Sequence, residues 1–420
     1  MAAWFRFVSG TLVALLTFAT TARAETRYVA KSGSDWGNQT CAEVTPCASV
    51  SWAVGLANSG DAIQIGFGTF HEAASVHVAK SLAITGAGSL WGTNVTTQGN
   101  GSVFVIAAGA SVTLSQLAIF GGKAAEGGGV RNIGQLTVRS IILKGNTANH
   151  GGGIYNVGNL TLDRTTIIAN SAGAGGGLTS VGDVGAQALV HETRILANSA
   201  DNRLEGVGRI GGIEHSGRGP LILVRSAVAW NNDAGIASST DAAVILQDST
   251  ISSNAGTGLF RRGGPATLTN VTIAENGLYG LDVRFATVLF RNSIVAQNAR
   301  AWDEISVDCA LEQSTIFADH SIFGDLSCNP SALEWGGASF IGVDPQLTGL
   351  GYHGSGFTPI HELLPGSPAI DSARDDLCWS WDQHGNPRPV DGNGDGTPRC
   401  DIGAHERTAA PAGRSSRDRR

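Results

Sequence analysis

From residue 136 to residue 298 the chain repeats one pattern of apolar, small and polar positions. Asparagine recurs at Asn146, Asn170, Asn198, Asn231, Asn254, Asn276 and Asn298, at intervals of 24, 28, 33, 23, 22 and 22 residues. Three residues before each stands an aliphatic residue: Leu143, Ile167, Ile195, Val228, Ile251, Ile273 and Val295. Five before stand Ile141, Thr165, Thr193, Ser226, Ser249, Val271 and Ser293. Eight and ten before, the series open with Val138 and Leu136 and close with Phe290 and Val288. Within each pair the step is two, the period of a strand with one buried face. Between the pairs the step is three, which reads as a bend. Gly-rich turns at Gly127-Gly128-Gly129, Gly151-Gly152-Gly153, Gly175-Gly176-Gly177 and Gly211-Gly212 precede most units.

Short strands, bends and no helical period predict one coil of a parallel β-helix per unit. The leucine-dense consensus of a leucine-rich repeat is missing. Stacked coils share one apolar interior, and the asparagines fall at one corner as a structural amide ladder. Earlier strands are expected at 62–65, 76–78, 82–84, 103–106, 112–114 and 117–120. A short helix over Ser49–Ala57 would cover the open end of the stack, because a bare terminal coil exposes core and strand edge. With coils near Ser314–Phe323, the expectation is an all-β, right-handed parallel β-helix of roughly ten to twelve coils, with an N-terminal cap helix and a disulfide-stapled C-terminal cap. Its boundaries are 25–328 for the solenoid and 329–406 for the C-terminal cap. Two intervals are long, by about five residues before Asn198 and about ten before Asn231, the latter around Asp201–Ile210. Insertions in solenoids often mark the binding face.

Composition supports an ordered chain. Glycine numbers 58 of 420 residues, 42% are hydrophobic and 15% charged, so disorder and long charged helices are excluded. Glycine does not recur every third residue, which excludes collagen. A net charge of −7 gives no reason to expect nucleic acid. Residues 1–24 read as a secretory signal: Arg6, an apolar stretch over Val8–Ala19, and a small-x-small site at Ala22-Arg23-Ala24. The expected mature chain carries no membrane span. Six cysteines in an exported chain imply disulfides, and proximity pairs Cys41–Cys47, Cys309–Cys328 and Cys378–Cys400, one of fifteen connectivities.

After about Asn329 the repeat stops. The segments GFTPIHELLPGSPAI (356–370 with Asp371 following), DQHGNPRP (382–389) and CDIGAHE (400–406) resemble the bacterial choice-of-anchor Q proteins. His384 stands where that pattern usually has Arg, and His405 where it has Phe. The resemblance implies an exported or cell-surface β-helix, mostly without defined activity. The Arg-rich tail 407–420 has no hydrophobic segment and is expected to be disordered, which favours a secreted or periplasmic protein over an anchored one.

Asp391-Gly392-Asn393-Gly394-Asp395-Gly396 matches the start of a calcium loop. Ile402 holds the twelfth position, so the candidate ligands are Asp391, Asn393, Asp395 and Asp401, in a structural role. Candidate catalytic residues cluster near the insertions: His191, Glu192, Arg194, Arg203, Glu205, Arg209, Glu214, His215 and Arg218. A lyase needs a base and a cation facing the substrate carboxylate; a hydrolase needs two carboxylates. The first expectation is a β-helix that binds a surface polymer, carbohydrate above all, through exposed aromatics such as Trp230 or Tyr279. The alternatives are a polysaccharide lyase or glycoside hydrolase on an acidic polysaccharide, and a spacer without ligand.

Overall fold

The computed structural model describes residues 24–88, 92–201, 209–299, 307–328, 333–335 and 339–408. Parallel strands stack in columns, each hydrogen-bonded to the equivalent strand one coil away. The first column runs from Thr26–Val29 through Ala62–Ile65, Leu82–Gly86, Ser111–Ser115, Gln135–Arg139, Asn159–Asp163, Ala188–His191 and Leu221–Val224 to Thr315–Asp319 and beyond. The second includes Thr93–Thr96, Ile142–Lys144, Thr166–Ile168, Arg194–Leu196, Ala227–Ala229 and Ile294–Ala296. Strands Val244–Ser252 and Pro265–Ala274 run through both columns. The third sheet has ten strands, from Val76–Val78 to Cys309–Glu312. A four-stranded sheet, Lys123–Glu126, Thr147–His150, Ser171–Ala174 and Ser199–Ala200, fills the corner between the second column and the third sheet. Ten third-sheet strands make about ten turns, at the low end of the expected number.

Inward side chains of all faces meet in one core. Leu136, Val138, Leu143 and Val130 and their equivalents in neighbouring coils are fully or almost fully buried. The expected strands form, and the helix spans Val50–Leu56, capped by Ser49 accepting from the Trp52 amide. Glu72 accepts from the Val50 and Ser51 amides, so the helix start is held by the first coil. Strands Gly68–His71 and Thr93–Thr96 were not among those expected; their apolar positions are too few to set a period. Each of the three expected cysteine pairs is bonded.

The asparagines form one continuous ladder. Asn146 Nδ2 donates to Asn170 Oδ1 (2.9 Å), Asn170 to Asn198 (3.0 Å), Asn198 to Asn231 (3.1 Å), Asn231 to Asn254 (2.8 Å), Asn254 to Asn276 (2.9 Å) and Asn276 to Asn298 (3.0 Å). Each Oδ1 also accepts from the backbone N–H of the preceding rung, as Asn254 does from Asn231 (3.2 Å). Each Nδ2 also donates to a carbonyl one coil back, as Asn254 does to Val228 (3.0 Å). From Asn170 on, both amide hydrogens and both lone pairs are thus used, while the first rung, Asn146, accepts from the Gly122 amide. The ladder ends on a carboxylate: Asn298 Nδ2 donates to Asp308 Oδ1 at 2.9 Å. Burial pushes the Asp308 carboxyl up to about 7. A second ladder occupies the preceding bend, where the Thr165 amide donates to Thr193 Oγ1, Thr193 to Ser226 Oγ and Ser226 to Ser249 Oγ, at 3.1–3.2 Å.

The C-terminal segment 345–408 runs back along the outside of the second column. Ile370, Ile402 and Leu363 pack on Ala274, Ile294, Ala296 and Ile322. Thr250 Oγ1 donates to Gln383 Oε1 (2.7 Å), and Ser252 Oγ meets His361 Nε2 at 2.7 Å. The segment therefore covers a flank of the solenoid.

Two outcomes follow from the ladder. Asn254→Ala strands two donors on Asn231 and two acceptors, and is expected to cost roughly 3–5 kcal/mol in denaturant unfolding. Asp308 binds its proton more tightly folded than unfolded, so its contribution is complete below pH 4 and is lost as pH rises through about 7. Stability falls by roughly 2–4 kcal/mol across that window on this account. Asp308→Asn should flatten the difference between melting curves at pH 4 and pH 8 relative to the parent.

Candidate functional site

A coil of 22–24 residues passes every face of the solenoid, so residues adjacent in sequence point to different flanks. The sequence cluster separates accordingly. His191 and Glu192 lie at the bend between the first and second columns. His191 Nδ1 meets Asp163 Oδ1 at 2.9 Å, and Glu192 lies between Arg164 (2.5 Å) and Arg225 (2.6 Å). Asp163, His191 and Glu192 are the one group of three ligand-type side chains close enough for a metal among the described residues. Both Glu192 oxygens are paired with guanidinium groups, so the group is an ion-pair ladder beside the C-terminal segment. Arg194 lies on the outer face of the second column.

Glu214 lies on the outer face of the third sheet, and His215, next to it, points into the core. His215 is 2% exposed, and burial pushes its imidazole down to about 4, so it is neutral and out of reach of any polymer. Arg218 stands at the corner after the third sheet, 3.5 Å from Asp183 of the first insertion. Arg209 borders the second insertion. Arg203 and Glu205 lie outside the described residues. Among the aromatics named from sequence, Trp230 is 37% exposed.

The calcium-loop residues are turned to the backbone. Asp391 accepts from the Gly394 and Gly396 amides at 2.7 and 2.8 Å, and Asn393 from Asp395 at 2.7 Å. Asp401 is buried apart from them, accepting from Asp371 and Arg407 amides (2.7 and 2.6 Å), and burial raises its carboxyl to about 6.

The richest set of reactive side chains lies on the third sheet. Arg131, Tyr155, Thr179 and Glu214 are register partners in four successive coils. The stacked glycine turns before them set this row. Gly127, Gly151 and Gly175 have φ of +63° to +65°, and a Cβ on Gly152 would sit 2.5 Å from the Ser171 carbonyl oxygen. The row is joined by Glu126 and His150 from the four-stranded sheet, themselves register partners. Glu126 pairs with Arg131 at 2.8 Å. Glu214 reaches back to accept from Thr179 Oγ1 (2.9 Å) and lies 3.8 Å from His150 Nδ1. His150 is 49% exposed by its side chain, against 14% for Glu214, so a half-open imidazole is backed by a sheltered carboxylate. Burial and the Glu126 and Glu214 carboxylates raise the Tyr155 phenol above its ordinary value, against the pull of Arg131. The phenol stays protonated and can donate.

Both insertions flank this row. The chain leaves the four-stranded sheet after Ala200 and enters the third sheet at Ile210, the second long interval lying between them in sequence, and residues 181–187 lie on the opposite margin. There a hollow of about 720 Å³ opens among Val184, Ser216, Arg218, Thr240, Asp241 and Arg262. Beyond Glu214 the row closes, because Ile210, Ala237 and Phe260 form a small apolar plug under Arg284.

Residues 199–325 match the family model described as a right handed beta helix region. The chain is a right-handed parallel β-helix. Its fold is similar to that of a protein solved as pectate lyase Pel9A, with TM-score 0.59 and 15% identity, covering 91% of this chain and 96% of that one. A looser likeness joins it to a mannuronic acid specific polysaccharide family 6 lyase from human gut microbiota (TM-score 0.35, 12% identity, 76% of this chain and 82% of that one). No curated protein sequence matches the β-helix. Among the described residues no helix is long and apolar enough to cross a membrane.

Glu126, Arg131, His150 and Tyr155 were missed from sequence, and a signal for two of them was present. Arg131 and Tyr155 stand two residues after a Gly-rich turn, as Thr179 and Glu214 do. That offset marks one outward row.

Proposed function

We propose that this β-helix is an exported protein that takes an acidic polysaccharide along the outer face of the third sheet and cleaves it by elimination. The observation that carries the reading is the gathering of His150, Glu214, Tyr155 and Arg131 on one strip between the two insertions. Elimination beside a uronate carboxylate needs a base, a cation and a proton donor. His150 is the base, removing the proton next to the carboxylate through its free ring nitrogen. Glu214 stabilises the imidazolium that forms. The C–H electron pair becomes the new carbon–carbon double bond, and the neighbouring glycosidic carbon–oxygen bond breaks. Tyr155 gives its proton to the leaving oxygen, and Arg131 faces the carboxylate, whose charge grows as the proton leaves. The similarity of fold to a protein named as a pectate lyase is in keeping with this reading. The three disulfides are in keeping with export.

Binding without cleavage is the second reading. It is favoured by the Glu126–Arg131 pair, which already occupies the guanidinium. We read the choice-of-anchor Q-like segment as the flank cover of the solenoid, and calcium at Asp391, Asn393 and Asp395, without the buried Asp401, as a structural staple of that cover.

Purified protein should release unsaturated products, read by absorbance, from at least one polyuronate in a panel of acidic and neutral polysaccharides. His150→Ala and Tyr155→Phe should each lower the rate by roughly 10²–10⁴ while retention on the polymer in affinity gels is kept. Retention with neither unsaturated products nor new reducing ends would replace cleavage by binding. New reducing ends without unsaturation would replace elimination by hydrolysis. Millimolar calcium should raise the melting temperature by a few degrees, reversed by chelator and lost in Asp391→Asn; an unchanged melting temperature removes the metal.

A further inference from the structure

A second cleft lies on a different flank, where the C-terminal segment ends its run along the second column. Its floor is the outer row of the column, with Ile142, Ile168 and Leu196, and its volume is about 340 Å³. One wall is Tyr352, 51% exposed, whose ring lies 6.2 Å from that of Trp230 at a tilt of 43°. Arg194 holds the wall in place. Its guanidinium lies 5.5 Å over Tyr352 and 4.4 Å over Phe357, and it donates to the Tyr352 hydroxyl (3.3 Å), the Phe357 carbonyl (3.2 Å) and Thr166 Oγ1 (2.8 Å).

This wall is built. Five contacts fix one guanidinium, and that guanidinium fixes two rings contributed by a segment about 160 residues away in sequence. The cost in side-chain entropy is met before any ligand arrives. Yet the Tyr352 and Trp230 rings remain partly open to solvent over an apolar floor, whereas neighbouring apolar residues of the same column are covered by the segment. A planar aromatic wall, an apolar floor and a rim of guanidinium and hydroxyl donors suit one ligand chemistry. A pyranose ring has an apolar C–H face to lie on the aromatic ring and an edge of hydroxyls to meet the polar rim. The volume admits one or two such rings, which is too small for a folded partner.

We infer that Trp230, Tyr352 and Arg194 form a second, non-catalytic carbohydrate subsite that holds sugar rings away from the third-sheet groove. The inference rests on the reading of the β-helix as a polysaccharide-acting protein, but uses no residue of the groove. It gives the C-terminal segment a role in binding besides covering the flank. Arg194 is a positioning residue there, acting through the rings it stacks on.

Binding of hexasaccharides of glucose, xylose, mannose and galacturonate is measured by calorimetry on full-length protein carrying Glu214→Gln, so that cleavage does not interfere. At least one hexasaccharide is expected to bind. Tyr352→Ala and Trp230→Ala, added singly, should weaken it at least tenfold, with unchanged melting temperature. Tyr352→Phe, which keeps the ring and loses the hydroxyl, should weaken it less than fivefold. In the parent background Tyr352→Ala should leave the rate on a short oligosaccharide unchanged and lower it on long polymer. Affinity indifferent to both ring removals overturns the subsite. So does the absence of binding by every hexasaccharide. Loss of cleavage in Glu214→Gln with subsite binding intact separates this inference from the proposed reaction.

Discussion

The fold depends on satisfying buried polar groups at corners that recur in every coil. A solenoid turns its backbone at the same place each time, so any amide left unpaired in one coil is left unpaired in all of them. Asparagine solves this because its side chain carries two donors and two acceptors, and each rung can both receive from one neighbour and give to the next. The ladder from Asn146 to Asn298 uses all four at nearly every rung. It ends on Asp308, where no further amide is needed to donate onward and a carboxylate accepts from the last rung. The raised carboxyl of Asp308 is the cost of closing such a ladder inside the protein.

How far the sequence reads depends on whether a residue obeys the coil period. The ladder, the core rows and the bends were legible because identical side chains recur at one spacing. The hydroxyl ladder through Thr165, Thr193, Ser226 and Ser249 was visible as a row of small positions, but its bonds were not, because small size and hydrogen-bonding capacity look alike in a pattern. The path of the C-terminal segment was illegible. Its contacts, such as Thr250 with Gln383 and Ser252 with His361, join residues more than 100 apart with no repeat to reveal them. The candidate site was misgrouped for a geometric reason. His191, Glu192, Glu214 and His215 are near in sequence, yet they point to the bend, the outer face and the core. Spatial neighbours in a solenoid are one coil apart, as Arg131, Tyr155, Thr179 and Glu214 are.

The C-terminal segment brings a further set of buried charges. Arg388, fully buried, lies 3.5 Å from Asp248 of the solenoid and 3.2 Å from Glu406, whose carboxyl burial pushes up to about 8. Such a desolvated network contributes little net stability, since the loss of water offsets much of the attraction. It does penalise every alternative placement, because a shifted segment would leave a guanidinium or carboxylate unpaired in an apolar seam. The hydrophobic contacts of Ile370 and Ile402 hold the segment on the flank, and the charges define where on the flank it sits.

The same corners explain why reactive side chains collect on the third sheet. Between the first and second columns the coils from Ser111 onward spend two residues, the first with positive φ, as at Arg164, Glu192 and Arg225. After the second column it again spends one positive-φ residue and then a ladder asparagine, as at Ala169, Ala197 and Trp230. An insertion at either corner would break a buried ladder. Among the described residues the corners on each side of the third sheet carry no such continuous ladder, and both long intervals of the sequence open there, after Ser180 and after Ala200. The third sheet is therefore the one face whose two margins can both grow walls without disturbing the stack. Its outward row is also free to vary, because inward neighbours alone fill the core. Arginine, tyrosine, threonine and glutamate succeed one another there at a rise of about 4.8 Å per coil, while the inward row just before them, Val130, Ile154, Leu178 and Ile213, remains aliphatic. Chemistry accumulates where the ladders leave room for it.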